Sequence, residues 1–216
     1  MITLTSGQQE ALKWLAITTM LIDHVGVILL PEWLWLRWVG RLAFPLFGLL
    51  IAYNIAVRGV PPARYLRPLA VFAAVSQPIY SWAFGTLQLN IFFTLFLGVA
   101  LVWSLEASTL HNVLVLAGLA VLGPFVDYSY PGVLLILVFV MALGNRWFWP
   151  LAGVVVVALN IWLGYGAVVP LLLGPLVLAI SKVPVTLERS SRWLFYGFYP
   201  LHLFLLKCAA VLLMAR

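Results

Sequence analysis

Charged residues are scarce in this sequence. Only 8% of the 216 residues are Asp, Glu, Lys or Arg, whereas 65% are hydrophobic, and the mean hydropathy is +1.12. A typical soluble domain carries about 25% charged residues. This composition excludes a water-soluble globular domain and indicates a polytopic membrane protein in a lipid bilayer.

Cysteine and metal-ligand patterns are also lacking. Cys208 is the single cysteine, so the sequence offers no disulfide framework and no thiol-rich metal site. The histidines are His24, His111 and His202, and no two of them share the i, i+3 or i, i+4 spacing of a helical metal site. We therefore expect no bound metal.

Acidic residues are half as frequent as basic ones, with 6 Asp and Glu against 12 Lys and Arg. The basic residues fall between hydrophobic runs, where they set orientation in a membrane, so we expect no nucleic-acid partner. A cytoplasmic N-terminus places most of them inside, namely Lys13, Arg58, Arg64, Arg67, Arg146, Lys182, Arg189 and Arg192. Only Arg37 and Arg216 then fall outside. The charges thus predict a multi-pass protein with a cytoplasmic N-terminus.

The apolar runs predict an all-α transmembrane helical bundle of about nine spans, forming one domain over residues 1–216. The runs are 12–30, 39–57, 68–84, 90–105, 112–126, 133–143, 147–163, 167–180 and 193–214. The run 133–143 is short for a full crossing at about 1.5 Å rise per residue. Pro170 and Pro175 make 167–180 the expected broken helix.

The first run contains an acid beside a histidine, Asp23 and His24, at membrane depth. An acid at the centre of a lipid-facing helix costs about 2.5–3.5 kcal/mol, so an intramembrane pair of this kind predicts function. Adjacent side chains on a helix diverge by about 100°. We therefore expect His24 to face a cavity while Asp23 pairs with Arg41 or Lys207.

Other costly polar residues fall in the same half of the predicted bundle, and we expect Arg41, Asp127 and His202 to meet this pair in a water-accessible cavity. Each has a structural alternative. His202 is equally consistent with an interhelical hydrogen bond, Arg41 with a side chain that reaches the interface, and Asp127 with a turn.

The chemistry that suits His24 is general base catalysis. No serine or cysteine nucleophile stands beside it, so the histidine would remove a proton from an attacking amine or hydroxyl during acyl transfer. A cation such as Arg41 would stabilise the oxyanion that forms.

A series of motifs carries a family resemblance. In chain order they include Asp23-His24-x-Gly26, Gly40-Arg41-x-x-Phe44-Pro45, Arg64-Tyr65-x-x-Arg67, Ser76-Gln77-Pro78, Leu89-Asn90-Ile91-x-Phe93-Thr94, Asp127-Tyr128 and Tyr199-Pro200-x-His202. Together they resemble the TraX family of integral membrane proteins, best known from acetylation of the F-pilin N-terminus. One departure is Ser129, where glycine is common after Asp-Tyr.

The resemblance implies an acetyltransferase of the bacterial inner membrane that uses acetyl-CoA as acyl donor and a pilin or other exported protein as acceptor. It implies that His24 is the base and that Asp23 orients or tunes it. The implied substrate-binding residues are Arg41, Asn90, Thr94, Asp127, Tyr199 and His202, and Arg64 and Arg67 are the implied ligands of the CoA phosphates. A small ion-coupled transporter and a non-catalytic pilin assembly factor remain as alternatives.

Overall fold

The computed structural model describes residues 3–105, 108–162 and 171–215, and within these ranges the chain is a bundle of α-helices without a β-strand. The helices are α1 (Ser6–Ile28), α2 (Leu34–Gly40), α3 (Ala43–Ala56), α4 (Ala63–Phe84), α5 (Ile91–Ser104), α6 (Thr109–Leu122), α7 (Ser129–Gly144), α8 (Trp149–Trp162), α9 (Leu173–Lys182) and α10 (Arg192–Met214). Short 3-10 helices, Gly123–Phe125 and Arg146–Phe148, precede α7 and α8. The predicted all-α bundle is confirmed.

In the part of the chain that the structure describes, three segments of 23 residues each are long and apolar enough to cross a membrane: Ser6–Ile28, Leu34–Ala56 and Arg192–Met214. At a rise of about 1.5 Å per residue each reaches about 34 Å, which exceeds a hydrocarbon core of about 30 Å. The second segment joins α2 and α3 across a short break at Arg41 and Leu42. The span count of about nine stays a prediction.

The centre of the bundle is α7, which packs between α3 and α5 and against α8. Leu135, Ile136 and Phe139 of α7 are almost completely buried. Gly98 of α5 admits the Ile136 side chain, because a Cβ at Gly98 would lie 2.5 Å from Ile136 Cδ1. The short run 133–143 is therefore part of a longer helix of 16 residues, which includes its flanks.

Helices α4 and α5 are joined through the Ser-Gln-Pro motif. The backbone N–H and the side-chain Nδ2 of Asn90 donate to Oε1 of Gln77 over 2.9 and 2.8 Å. The Asn90 side chain also caps α5 by accepting from the N–H of Phe92. Gly85 ends α4 at a φ of +63°, in the left-handed region that glycine adopts without strain.

The predicted broken helix at 167–180 is described only from residue 171. Pro170 lies outside the described residues, together with the end of the predicted run 147–163. Pro175 is the third residue of α9. The first turn of a helix has no intrahelical partner for its N–H groups, so proline is tolerated there and does not break α9.

Candidate functional site

A cavity of about 940 Å³ lies among α1, α2, α3, α4, α5 and α10. Along α1 its wall runs from Lys13 to His24 and Val27, and Lys13 and His24 are about 16 Å apart along the helix axis. Along α4 and the loop after it, the wall runs from Arg64 to Gln88. The cavity therefore extends along most of the bundle, and His24 lies near one end of it.

Asp23 is held by two arginines at that end. Nη1 of Arg37 lies 2.6 Å from Oδ2 of Asp23, and Nη2 of Arg41 lies 2.8 and 2.9 Å from the two carboxylate oxygens. Asp23 and Arg41 are only 6% and 5% exposed. Of the two partners expected for Asp23, Arg41 makes the contact. Lys207 does not line the cavity.

The sequence reasoning missed Arg37, because it assigned this residue to an outer loop. The structure instead places Arg37 on α2, one helical turn before Arg41. The i, i+4 spacing of the two arginines was the signal that they share a face.

Two glycines bring α1 and α2 close enough for this contact. A Cβ at Gly40 would lie 2.2 Å from both Cβ and Oδ1 of Asp23, and a Cβ at Gly26 would lie 2.8 Å from Cβ of Leu36. These distances leave no room for a side chain at either position. They give a steric reason for the glycines in the Asp-His-x-Gly and Gly-Arg motifs.

We expect Gly40→Ala to lower the free energy of unfolding by about 1–3 kcal/mol, since the new methyl group overpacks the contact with Asp23. The matched control is Gly118→Ala in α6, where a Cβ meets nothing within 4 Å. In a helix that control should be neutral or stabilising. Unfolding of both variants in the same detergent measures the difference, and equal stability of Gly40→Ala and the natural protein would contradict the steric argument.

His24 and His202 form a hydrogen-bonded pair. Nδ1 of His24 lies 2.6 Å from Nε2 of His202, and Nδ1 of His202 lies 2.7 Å from the carbonyl oxygen of Phe198. The ring planes differ by 16° and the centroids are 4.9 Å apart, so the two imidazoles meet edge to edge.

These contacts fix the tautomers of the two neutral rings. A carbonyl oxygen only accepts, so Nδ1 of His202 carries its proton and Nε2 accepts. Nδ1 of His24 must then donate, which leaves Nε2 of His24 with a free lone pair. His24 lines the cavity, whereas His202 lies outside the lining and is 4% exposed. In this pair, Nε2 of His24 is therefore the unprotonated nitrogen that no other histidine nitrogen contacts.

This assignment predicts the nitrogen NMR shifts of the imidazoles. In the natural protein, His24 should show protonated Nδ1 and unprotonated Nε2. In His202→Leu the acceptor is gone, and we expect His24 to lose that preference and populate the other tautomer. His202→Gln retains a side-chain oxygen acceptor and should largely preserve it. An unchanged His24 tautomer in His202→Leu would show that His202 does not set it.

Asp127 and Tyr128 approach the same end from the turn before α7. The N–H of Asp127 donates to the carbonyl of Leu89 over 2.8 Å, and the Thr94 hydroxyl donates to the carbonyl of Asp127. Asp127 is enclosed by protein but partly accessible from the cavity it lines. Burial raises the pKa of its carboxyl to about 6, although the Arg41 guanidinium acts in the opposite direction.

The backbone of this turn is strained. Tyr128 and Ser129 have φ values of +64° and +47°, in the left-handed region that residues with a side chain rarely adopt. Such strain often marks functional sites. The Tyr128 ring stacks on Phe44 with centroids 4.4 Å apart, and the Arg41 guanidinium lies 5.7 Å from its centroid. The strained turn thus packs an aromatic ring against the arginine that binds Asp23.

The structure brings together part of the set expected from the sequence. The cavity is lined by Asp23, His24, Arg41, Arg64, Asp127 and Tyr199. His202 does not line the cavity itself but hydrogen-bonds to His24, which does. Asn90 and Thr94 lie off the cavity lining, and their side chains bond to other parts of the protein. Arg67 is exposed and also lies off the lining, although it is one turn from Arg64.

No cluster of three or more His, Cys, Asp or Glu side chains that would hold a metal ion occurs within residues 3–105, 108–162 and 171–215. The chemistry available at His24 is that of a neutral imidazole beside an ion-paired group in which Arg37 and Arg41 contact Asp23. Such a site can accept a proton and stabilise a developing negative charge.

Comparisons with known proteins agree with one another. The chain is 30% identical to Protein TraX of Escherichia coli (strain K12) over 131 residues, which are 57% of this chain and 51% of the relative. It is 32% identical to a probable fimbrial assembly protein FimC, serogroup H1, of Dichelobacter nodosus over 83 residues, or 37% and 34% of the two chains. An uncharacterized protein of Rickettsia prowazekii (strain Madrid E) is 43% identical over 49 residues, or 23% and 20%.

The chain thus matches about half of the length of these curated relatives at most. No solved structure matches it. A family profile described as TraX protein matches residues 8–210, which include every side chain of the site described above. By this match over most of its length, the chain belongs to the TraX family.

Proposed function

We propose that the protein is a membrane-embedded acetyltransferase, with Nε2 of His24 as its general base and acetyl-CoA as its acyl donor. The observation that carries the proposal is the hydrogen-bond series from the Phe198 carbonyl through His202 to His24, because it leaves a basic nitrogen on a residue that lines a large cavity. General base catalysis needs such a nitrogen within reach of the attacking group.

In the proposed reaction, an acceptor amine attacks the carbonyl carbon of the thioester while Nε2 of His24 removes a proton from the amine. The carbonyl oxygen becomes an oxyanion, and the guanidinium groups of Arg37 and Arg41, which line the cavity, are the cations proposed to stabilise it. The carbon–sulfur bond then breaks, and the new amide remains on the acceptor. The thiolate of CoA takes the proton from Nε2 of His24 and leaves as the thiol, which returns His24 to its neutral form.

His202 holds the orientation of the His24 ring at each stage of the proposed reaction. When Nε2 of His24 is protonated, its Nδ1–H still donates to Nε2 of His202, so the ring keeps its orientation through the cycle. Asp23 acts on the site by holding the two arginines in place. Tyr199 and Asp127 line the same space and are the proposed contacts for the acceptor.

The shape of the cavity supports access from both faces of the bacterial inner membrane. With the N-terminus in the cytoplasm, the basic end that holds Arg64 faces inward, and the end with Thr86 and Gln88 faces outward. Acetyl-CoA would enter from the cytoplasmic end. The acceptor would reach His24 from the opposite end, where an exported protein resides.

A pilin is the proposed acceptor, modified at its N-terminal amine. This choice draws on family membership and on the name of the Dichelobacter nodosus relative, which describes fimbrial assembly. Pilin subunits and similar exported proteins present a free amine near the outer face of the membrane, where the proposal places the acceptor.

The test is transfer of label from isotope-labelled acetyl-CoA to a pilin subunit by the purified protein in nanodiscs, with mass spectrometry to locate the acetyl group. We expect the label on the N-terminal amine. Binding of pilin without transfer would indicate an assembly factor. Proton- or ion-coupled uptake into proteoliposomes without transfer would indicate a transporter, and either outcome would overturn the proposal.

A further inference from the structure

Four arginines from two distant parts of the chain converge on the end of the cavity opposite His24. Arg58 and Arg64 lie on either side of the start of α4, and Arg189 and Arg192 lie at the start of α10. All four are exposed at the surface and line the cavity. Burial raises the pKa of the Tyr65 hydroxyl, which also lines the cavity, while the charges of Arg189, Arg58 and Arg64 act in the opposite direction. We call these four residues the arginine mouth.

The arginine mouth has an excess of positive charge. Lys13, which also lines this end, is paired with the buried Glu10 over 2.7 Å. Among the described residues, no carboxylate forms an ion pair with any of the four arginines. The arrangement therefore gathers like charges at one opening without compensating them.

Two helix N-termini add to this field. Arg64 is the second residue of α4 and Arg192 is the first residue of α10. A helix N-terminus carries a partial positive charge, so cations there are unfavourable and anions are favourable. An exposed arginine at such an end is unfavourable by about 0.3–1 kcal/mol, and an anion bound among these arginines would offset that cost.

Membrane orientation alone does not require this convergence. The positive-inside bias is satisfied by cations anywhere in the inner loops. Arg67, Arg146 and Lys182 meet that requirement, and none of them lines the cavity. The four arginines of the mouth differ because they meet around one opening from segments about 130 positions apart.

We propose that the arginine mouth binds the phosphate groups of a nucleotide-linked acyl donor whose arm extends along the cavity to His24. The inference rests on the proposed function for the identity of the donor. Guanidinium groups match phosphate oxygens in geometry as well as in charge. A phosphomonoester and a diphosphate, the phosphate groups of CoA, provide enough oxygens for several arginines.

The part of the cavity between the arginine mouth and His24 suits the narrow arm of such an acyl donor. Lys13 near the mouth and His24 lie about 16 Å apart along α1. Between them the wall is apolar and aromatic, with Phe47, Ile51, Phe92 and Tyr196. A donor anchored by its phosphates at the mouth would bring a thioester at the end of its arm to Nε2 of His24.

Binding of CoA itself, without acetyl group or acceptor, tests the site. We would titrate the protein in nanodiscs of neutral lipid with CoA, with dephospho-CoA, which lacks the phosphate on the ribose, and with pantetheine, which has no phosphate. Affinity should fall in that order, and CoA affinity should fall as salt is raised. Equal affinity for CoA and pantetheine would overturn the proposal.

The variants are Arg64→Gln and Arg189→Gln, one from each segment, and each should weaken CoA binding by about tenfold. The matched control is Arg146→Gln, because Arg146 is also an exposed arginine but does not line the cavity, and this variant should retain affinity within roughly twofold. If a glutamine variant fails to fold, Arg64→Lys keeps the charge but loses the planar fork, and an intermediate affinity is expected. Loss in Arg146→Gln equal to that in Arg64→Gln would reduce the site to general surface charge and overturn the proposal.

Anionic lipid headgroups offer the same phosphate chemistry, and a second arm separates the two sources. The same variants are placed in nanodiscs that contain phosphatidylglycerol, and bound lipid is measured by native mass spectrometry. If Arg64→Gln and Arg189→Gln lose bound lipid while CoA affinity is unchanged, the mouth is a lipid site and the proposal falls.

CoA binding with this profile but without acetyl transfer would leave the site standing and remove the proposed function. Acetyl transfer that none of these variants changes would instead leave the proposed function standing and remove the arginine mouth as the phosphate-binding site.

Discussion

Acetyl transfer should fall by about 10²–10⁴-fold in His24→Gln, while the protein remains folded. Glutamine keeps a polar side chain that can hydrogen-bond to Nε2 of His202, but it has no nitrogen that takes up a proton near neutral pH. The loss should therefore appear in the rate of acetyl transfer at saturating acetyl-CoA. CoA binding should change little, because the arginine mouth lies at the other end of the cavity.

The control for this experiment is His111→Gln. His111 is an exposed histidine of α6 whose ring contacts the Ser108 hydroxyl and the Trp103 ring, and it does not line the cavity. It should retain full transfer activity. Comparable transfer by His24→Gln and the natural protein would exclude His24 as the base and direct attention to Asp127 or Tyr199.

The second large effect concerns stability, and we expect Asp23→Asn to lower the free energy of unfolding by about 3–5 kcal/mol. The amide removes the negative charge that Arg37 and Arg41 share, so two guanidinium groups remain close together in a buried site. Removing one partner of a buried ion pair costs more than the pair itself contributes, because the remaining charge is left uncompensated. Reversible unfolding in mixed detergent measures the change.

Glu32→Gln is the matched control, since Glu32 lies nearby in the loop between α1 and α2 but is exposed to solvent. The same carboxylate-to-amide change there should alter stability by no more than about 0.5 kcal/mol. A stable Asp23→Asn protein would indicate that water or another group compensates the arginines, and the account of Asp23 as their anchor would be wrong.

Much of this arrangement could be predicted because charges are rare in the apolar runs. A membrane-buried acid needs a partner, and Arg41 and Lys207 were the nearest candidates by depth, so the contact between Asp23 and Arg41 was accessible from the sequence. The grouping of His24 with His202 followed from the same reasoning. Hydrophobic runs and their turns were sufficient for the all-α bundle.

Other features depend on contacts that no pattern reveals. The tautomer of His24 is set through His202 by the Phe198 carbonyl, and every residue contributes an identical carbonyl to the chain. Asn90 and Thr94 are four residues apart, but Asn90 is the N-cap of α5 and bonds to α4, whereas Thr94 bonds to the turn at Asp127. Spacing identifies the face of a helix and not what lies opposite it.

The arginine mouth was expected only in part, because the family resemblance implied Arg64 and Arg67 as phosphate ligands but not Arg58, Arg189 or Arg192. Orientation in the membrane already explained those three arginines, so their sequence positions carried no further signal. Only the fold shows that the start of α4 and the start of α10 meet at one opening.

Helix α10 carries Arg192 at one end of the cavity and His202 about 15 Å further along the same axis. A rigid tilt of α10 that draws Arg192 toward a ligand would also move the His202 imidazole, which hydrogen-bonds to His24. In the proposed reaction, phosphate binding at the arginine mouth and the orientation of His24 would thereby be coupled through this one helix.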